Sequence, residues 1–150
     1  TMIYQQIKSD IISAMKSKLQ NELIALRNLD STIKNFAINS GNRSEISDND
    51  CLTAISQMVK RGTDSAEQFK NGNRNDLAEI ELFQVELYKK YLPQQLSEDE
   101  LRTEIRNQIQ NFGTVSQKDF GKLMKHFSNE FKGRADNKII STVLKQILEN

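Results

Sequence analysis

Tyr91-Leu92-Pro93-Gln94-Gln95-Leu96-Ser97-Glu98-Asp99-Glu100-Leu101 ends one helix and starts another. The residue before a proline is pushed out of helical space by the proline ring, so a helix arriving at Tyr91-Leu92 stops there. Ser97 and Glu100 have the spacing of a capping box: the hydroxyl accepts from the amide of Glu100, and the carboxylate reaches back to the amide of Ser97. A domain boundary follows from this stretch. It predicts an N-terminal domain over 1–92, a linker at 93–96 and a C-terminal domain over 97–150.

Upstream of the boundary, Ile3, Ile7, Ile11 and Ala14-Met15 recur at helical spacing, and Leu19, Leu23, Leu26, Ile33 and Phe36-Ala37 do so in a second segment. Residues 38–46 read as a polar loop containing Gly41. Ser47 then caps a third helix, with Asp48 and Asp50 at the positive end of its dipole. That helix turns Cys51-Leu52, Ile55, Val59, Ala66 and Phe69 inward. Gly62 inside it costs roughly 1 kcal/mol relative to alanine unless close packing requires it. Gly72 is expected as a left-handed stop. A fourth helix over about 74–91 is expected to bury Leu77, Ile80, Phe83, Leu87 and Tyr91 and to show Glu79, Glu81 and Glu86 to water.

Downstream, Leu101, Ile105, Ile109 and Phe112 form one stripe that ends at Gly113. Ser116 caps a short helix carrying Phe120, Leu123-Met124 and Phe127. A last helix from about Asn137 places Ile140, Val143-Leu144 and Ile147-Leu148 inside. Strand-like alternation is absent, and one proline with six glycines gives a sheet protein too few turns. The expectation is an all-α chain: an N-terminal bundle of about four helices, then a smaller three-helix domain.

Composition removes several function classes. One cysteine excludes an intramolecular disulfide and a cysteine-cluster zinc site, and one histidine excludes HExxH and multi-histidine cages. No GxSxG turn, GxxxxGK[ST] loop or GxGxxG loop occurs. Cys51 lies on an inward helix face, where a thiol is a packing group, and a lone histidine such as His126 is most often a surface or core-edge residue. No catalytic residue, metal site, cofactor or small-molecule substrate is identified. No apolar run reaches the ~18 residues of a membrane span, so a membrane partner is not expected. Met2 reads as the native start; the residues after it lack the apolar core of a secretory signal and the Arg-rich, acid-poor bias of a transit peptide, as a processed mature chain also would. With a single thiol, a reducing cytoplasm is the expected location.

The distribution of charge says more than its total of +1. Between Gln117 and Lys138 lie six bases (Lys118, Lys122, Lys125, Lys132, Arg134 and Lys138) and three acids (Asp119, Glu130 and Asp136). Lys118, Lys122 and Lys125 are spaced by four and three, so they share one helix face. Lys132-Gly133-Arg134 falls in the loop after it, where Gly133 lets a partner approach the backbone. Ammonium groups and a guanidinium fork in this arrangement suit a phosphate backbone.

Five strings occur in order: Asp64-Ser65-Ala66-Glu67-Gln68-Phe69, Arg74-Asn75-Asp76-Leu77-Ala78-Glu79, Tyr91-Leu92-Pro93-Gln94-Gln95-Leu96-Ser97-Glu98, Lys118-Asp119-Phe120-Gly121-Lys122-Leu123-Met124 and Lys132-Gly133-Arg134-Ala135-Asp136-Asn137-Lys138. With them the chain resembles the YqeY-like family (GatB/YqeY), related to the tail of the B subunit of the tRNA-dependent amidotransferase, from Ile3 to Leu148. The resemblance implies two helical domains. It also implies tRNA contact through the C-terminal one, since the amidotransferase tail contacts tRNA while its chemistry occurs in a separate core. A family-level label of carbon–nitrogen ligase with glutamine as amido-N-donor belongs to that larger relative. The chain departs from the family pattern at Gly62-Thr63, where two bases are common, at Phe120, where methionine is usual, and at Asn137, which replaces a glycine and is expected to keep a left-handed turn. Gly121 is expected to allow close helix contact, and Asp136 to cap the last helix or pair with Arg134. Three readings stand at this point: a non-catalytic tRNA-binding module using the six bases, an adaptor docking a protein partner, and a component of a glutamine-dependent amidotransferase.

Overall fold

The computed structural model describes residues 2–41 and 45–149. Asn42-Arg43-Ser44 of the expected loop lie outside the described residues. Among those described there are seven α-helices and no strand: α1 (Met2–Lys16), α2 (Gln20–Asn39), α3 (Asp48–Asn71), α4 (Asn75–Lys89), α5 (Glu98–Ile109), α6 (Phe120–Glu130) and α7 (Asn137–Glu149). Short 3-10 turns at Gln110–Phe112 and Gln117–Asp119 follow α5 and precede α6. The chain forms two compact units, Thr1–Leu92 and Pro93–Asn150.

The first unit closes α1 to α4 around Ile7, Leu26, Leu29, Ile33, Cys51, Ile55 and Tyr88. Ser47 caps α3 in a reciprocal box with Asp50, at 3.1 Å from the Asp50 amide to the hydroxyl and 3.3 Å from the Ser47 amide to the carboxylate. Asp48 accepts from the amide of Ile3 at 3.0 Å, which ties the start of α1 to the start of α3. Two tyrosines bond across helices: the Tyr4 hydroxyl donates to Asp30 at 2.6 Å, and the Tyr91 hydroxyl donates to Asp10.

Gly62 explains the α3–α4 pairing. A methyl group at this position would stand 2.5 Å from Cγ2 of the buried Val85. The interior glycine is therefore required by close approach. The same contact fixes how α4 is rotated. Ala78, Val85, Leu87 and Tyr88 face inward, and the Tyr88 hydroxyl donates to the carbonyl of Ala25 at 2.9 Å. The expected stripe is thus corrected: Ile80 and Phe83 are 57% and 43% exposed, and Glu81 is half-buried beside Gly62. α4 carries two apolar stripes. The one holding Val85 and Tyr88 is selected because it meets the glycine notch and gives a buried hydroxyl an acceptor. Met15 and Leu19, expected inside, are likewise exposed at the turn between α1 and α2. After α3 the left-handed residue is Asn73, at φ 59°, and not Gly72, at φ −90°.

The second unit packs Leu101, Ile105, Leu123, Phe127, Phe131, Ile140, Val143 and Leu144. The Ser97–Glu100 capping box is formed, with both bonds at 3.1 Å. Residues 93–96 belong to this unit. Leu96 donates its amide to the carbonyl of Arg134 at 2.9 Å, the Gln95 side-chain amide donates to the carbonyl of Gly133, and Arg134 Nε donates to the carbonyl of Gln94 at 3.4 Å. Asn137 is the first residue of α7 and is not left-handed. Asp136 precedes it and accepts from the amide of Lys138 at 3.0 Å, so the helix start is set by a carboxylate cap and needs no special turn.

Gly62→Ala tests the close approach. Helix propensity alone favours alanine by about 1 kcal/mol. Overpacking against a stiff β-branched Val85 costs about 1–3 kcal/mol. The expected result in a urea melt is net destabilisation, partly recovered when Val85→Ala is added; a more stable Gly62→Ala chain would contradict the notch.

Candidate functional site

α6 and the turn that follows hold four of the six bases between Gln117 and Lys138: Lys122, Lys125, Lys132 and Arg134. Leu123, Phe127 and Phe131, spaced by four, are all buried. Their burial orients α6, because residues on the other side of a helix with this stripe must face water. Lys118, in the 3-10 turn, and Lys122 and Lys125, in α6, fall on that opposite side and are exposed. Among the described residues no ion pair engages any of the three. The turn into α6 is held by Asp119, whose carboxylate accepts from the amide of Ser116 at 2.9 Å.

The other three bases are placed differently. Lys132 and Arg134 are half-buried in the turn between α6 and α7. Gly133 adopts φ 79° there, and what approaches its carbonyl is Gln95 of the same unit. The Arg134 guanidinium is turned toward Gln94 and acts electrostatically on Glu100, helping to hold that carboxyl below its ordinary range after the larger effects of the Ser97 amide and hydroxyl. Arg134 is therefore engaged in holding residues 94–96. Lys138 is exposed in the first turn of α7. Lys118, Lys122 and Lys125 form one row, while Lys132, Arg134 and Lys138 belong to the turn and the start of α7.

Two features were not legible in the charge pattern. Lys145 lies with its ammonium 5.6 Å from the centre of the Phe120 ring, a cation–π contact that needs an aromatic side chain at this position. Phe112, expected in the core, is 37% exposed and meets the exposed His126 edge to face at 5.0 Å. α5 ends at Ile109, so the 3-10 turn carries Phe112 off the helical stripe that Leu101, Ile105 and Ile109 define. The expectation of close contact at Gly121 is corrected: a methyl group there would meet nothing within 4 Å.

Among the described residues of the first unit no row of three unpaired bases lies on one buried-stripe helix, and its titratable groups are placed differently. Cys51 is sealed, and burial pushes its thiol up to about 11, with the carboxylates of Asp48 and Asp50 adding to the effect. Two open clefts, of about 300 Å³ beside Gly62 and about 340 Å³ beside Tyr91, are lined by mixed polar side chains, including Arg61 and Glu81 in one and Asp10 and Lys90 in the other. Among the described residues no three His, Cys, Asp or Glu side chains are grouped to hold a metal ion, and no helix is long and apolar enough to cross a membrane.

The family model described as Yqey-like protein matches residues 4–148. The chain belongs to the YqeY-like family. A relative from Clavispora lusitaniae, named altered inheritance of mitochondria protein 41, mitochondrial, is 30% identical over 97% of this chain and 74% of its own length. A protein of the same name from Candida glabrata is 33% identical over 57% of this chain and 47% of its own length. One from Pyrenophora tritici-repentis is 22% identical over 98% of this chain and 81% of its own length. These names overturn the cytoplasmic placement drawn from the sequence. A lone thiol fits any reducing compartment, so cysteine usage did not discriminate between cytoplasm and mitochondrion.

Two measurements check this YqeY-like chain, one in each unit. Gly133→Ala forces a side chain into left-handed space and is expected to destabilise the unit by about 1–2 kcal/mol, whereas Gly121→Ala, in open space at the start of α6, is expected to be neutral or to gain up to about 1 kcal/mol. Equal effects in hydrogen-exchange protection of α6 would contradict the distinction. Cys51 is expected to resist alkylation at pH 8 in the folded chain and to react fully in denaturant, because its thiol stays protonated and covered; rapid native labelling would show otherwise.

Proposed function

We propose that the unit formed by residues 93–150 is a tRNA-binding module that acts by docking and makes no bond itself. The observation that carries this reading is the row of Lys118, Lys122 and Lys125, exposed, free of ion pairs among the described residues, and held outward by the buried stripe of α6. Two ammonium groups on a helix face and a third on the turn that leads into it can replace counterions along a phosphate backbone without reorganisation of the fold. Lys138 contributes at the start of α7, and Lys132 and Arg134 add positive potential from the turn. Family membership supports the assignment of tRNA, since the resembling amidotransferase tail contacts tRNA. The names of the relatives support a mitochondrial setting. An amidotransferase role would need glutamine and ATP sites contributed by another subunit.

A second reading has its own support. Ile80 and Phe83 lie exposed on one side of α4, and such apolar side chains suit a protein partner. Nuclease-resistant co-purification that is lost in an Ile80→Gln, Phe83→Gln chain would favour it.

The test of the primary reading is tRNA binding at two salt concentrations. Replacing Lys118, Lys122 and Lys125 by Gln is expected to weaken binding and to reduce the slope of log K against log salt by about 2–3, the loss of three phosphate contacts. An unchanged slope would show that this face does not meet RNA.

A further inference from the structure

Beside the lysine row stands an aromatic group that the phosphate reading leaves unused. Phe131 stacks on Phe127 at 5.9 Å in the core, and Phe127 meets both Phe112 and His126 edge to face, at 6.2 and 5.0 Å. Phe112 and His126 meet each other edge to face at 5.0 Å and bring the aromatic column to the surface. His126 is exposed on α6, one turn after Lys122 and next to Lys125. Phe112 itself is 37% exposed, so part of its ring is open to solvent.

We infer that Phe112 and His126 form a stacking platform for an unpaired nucleotide base, with Lys122 and Lys125 on the phosphates that flank it. The inference rests on the RNA reading above and deepens it: the preferred ligand is a single-stranded segment, such as a loop or a free end, and not a helical stem. Charge selects nucleic acid over a neutral partner, and the exposed rings select among nucleic acids. In a duplex the bases are already stacked and their faces are closed to a protein ring, whereas an unpaired base has a free π-face. In an edge-to-face pair the ring that presents its edge does not have its own faces covered by that contact. The anchoring of both rings on buried Phe127 means that little side-chain freedom is lost when a base lands.

The experiment uses the full chain and a short single-stranded RNA carrying one 2-aminopurine, with a duplex of the same sequence as comparison. Stacking quenches 2-aminopurine, so the single strand is expected to bind tighter than the duplex and to lose fluorescence. Phe112→Leu, which keeps an apolar contact with Phe127, and His126→Ala are each expected to weaken single-strand binding by about tenfold and to abolish quenching, with duplex binding unchanged. If both variants bind and quench like the parent while the Lys118, Lys122 and Lys125 substitutions still weaken binding, the platform is refuted and the cationic face survives. If the lysine substitutions also have no effect, the RNA reading itself fails. Preference for the duplex, or capture of an acidic peptide in place of RNA, overturns the inference as well.

Discussion

Leu123, Phe127 and Phe131 on one side of α6 leave that helix no freedom to turn about its axis. Rotating it to bring a lysine inward would bury an ammonium group and expose two aromatic rings, a loss of several kcal/mol on either count. The outward row of Lys118, Lys122 and Lys125 is thus a consequence of core packing, and so is the position of His126 at its margin. The cationic surface is organised by hydrophobic burial and not by any attraction among the charges, which repel one another.

In the first unit a missing side chain plays the organising part. The glycine notch at position 62 lets α4 come within reach of α3, and that approach decides which of two apolar stripes on α4 is buried. The hydrogen bonds of Tyr4, Tyr88 and Tyr91 then fix details of alignment. Each hydroxyl sits on a ring that is largely packed away and finds an acceptor on another helix, which discriminates against slipped packings more than it adds to total stability.

Helix number and most helix limits could be read from the sequence because their signals are local. Ser47, Ser97 and Pro93 act on the few residues next to them: the expected Ser97 capping box formed, and Ser47 caps α3 as expected, with Asp50 closing a second box. The inward face of α4 was not legible, since both of its stripes have helical spacing and the choice is made by Gly62 on another element. Asn73 in place of Gly72, and the helical Asn137, show the same limit one residue at a time: composition marks a turn, and hydrogen bonding decides which residue bends. Spacing placed Lys122 and Lys125 on one face of α6, while Lys118, expected on the same helix, lies in the 3-10 turn before it. Lys145, Phe112 and His126 were not legible, because their positions depend on how α5, α6 and α7 meet. Arg134 looked like one more base, and only the tertiary contacts reveal its attachment to Gln94.

The bonds from Gln94, Gln95 and Leu96 to the turn at Gly133-Arg134 have a practical meaning for anyone dissecting the molecule. The segment after Pro93 resembles a spacer, yet it works as a seat belt for the polypeptide that leaves α6. A shortened gene product intended to carry the cationic surface by itself should open at Pro93; trimming to Ser97 would spare every helix and still unfasten the fragment.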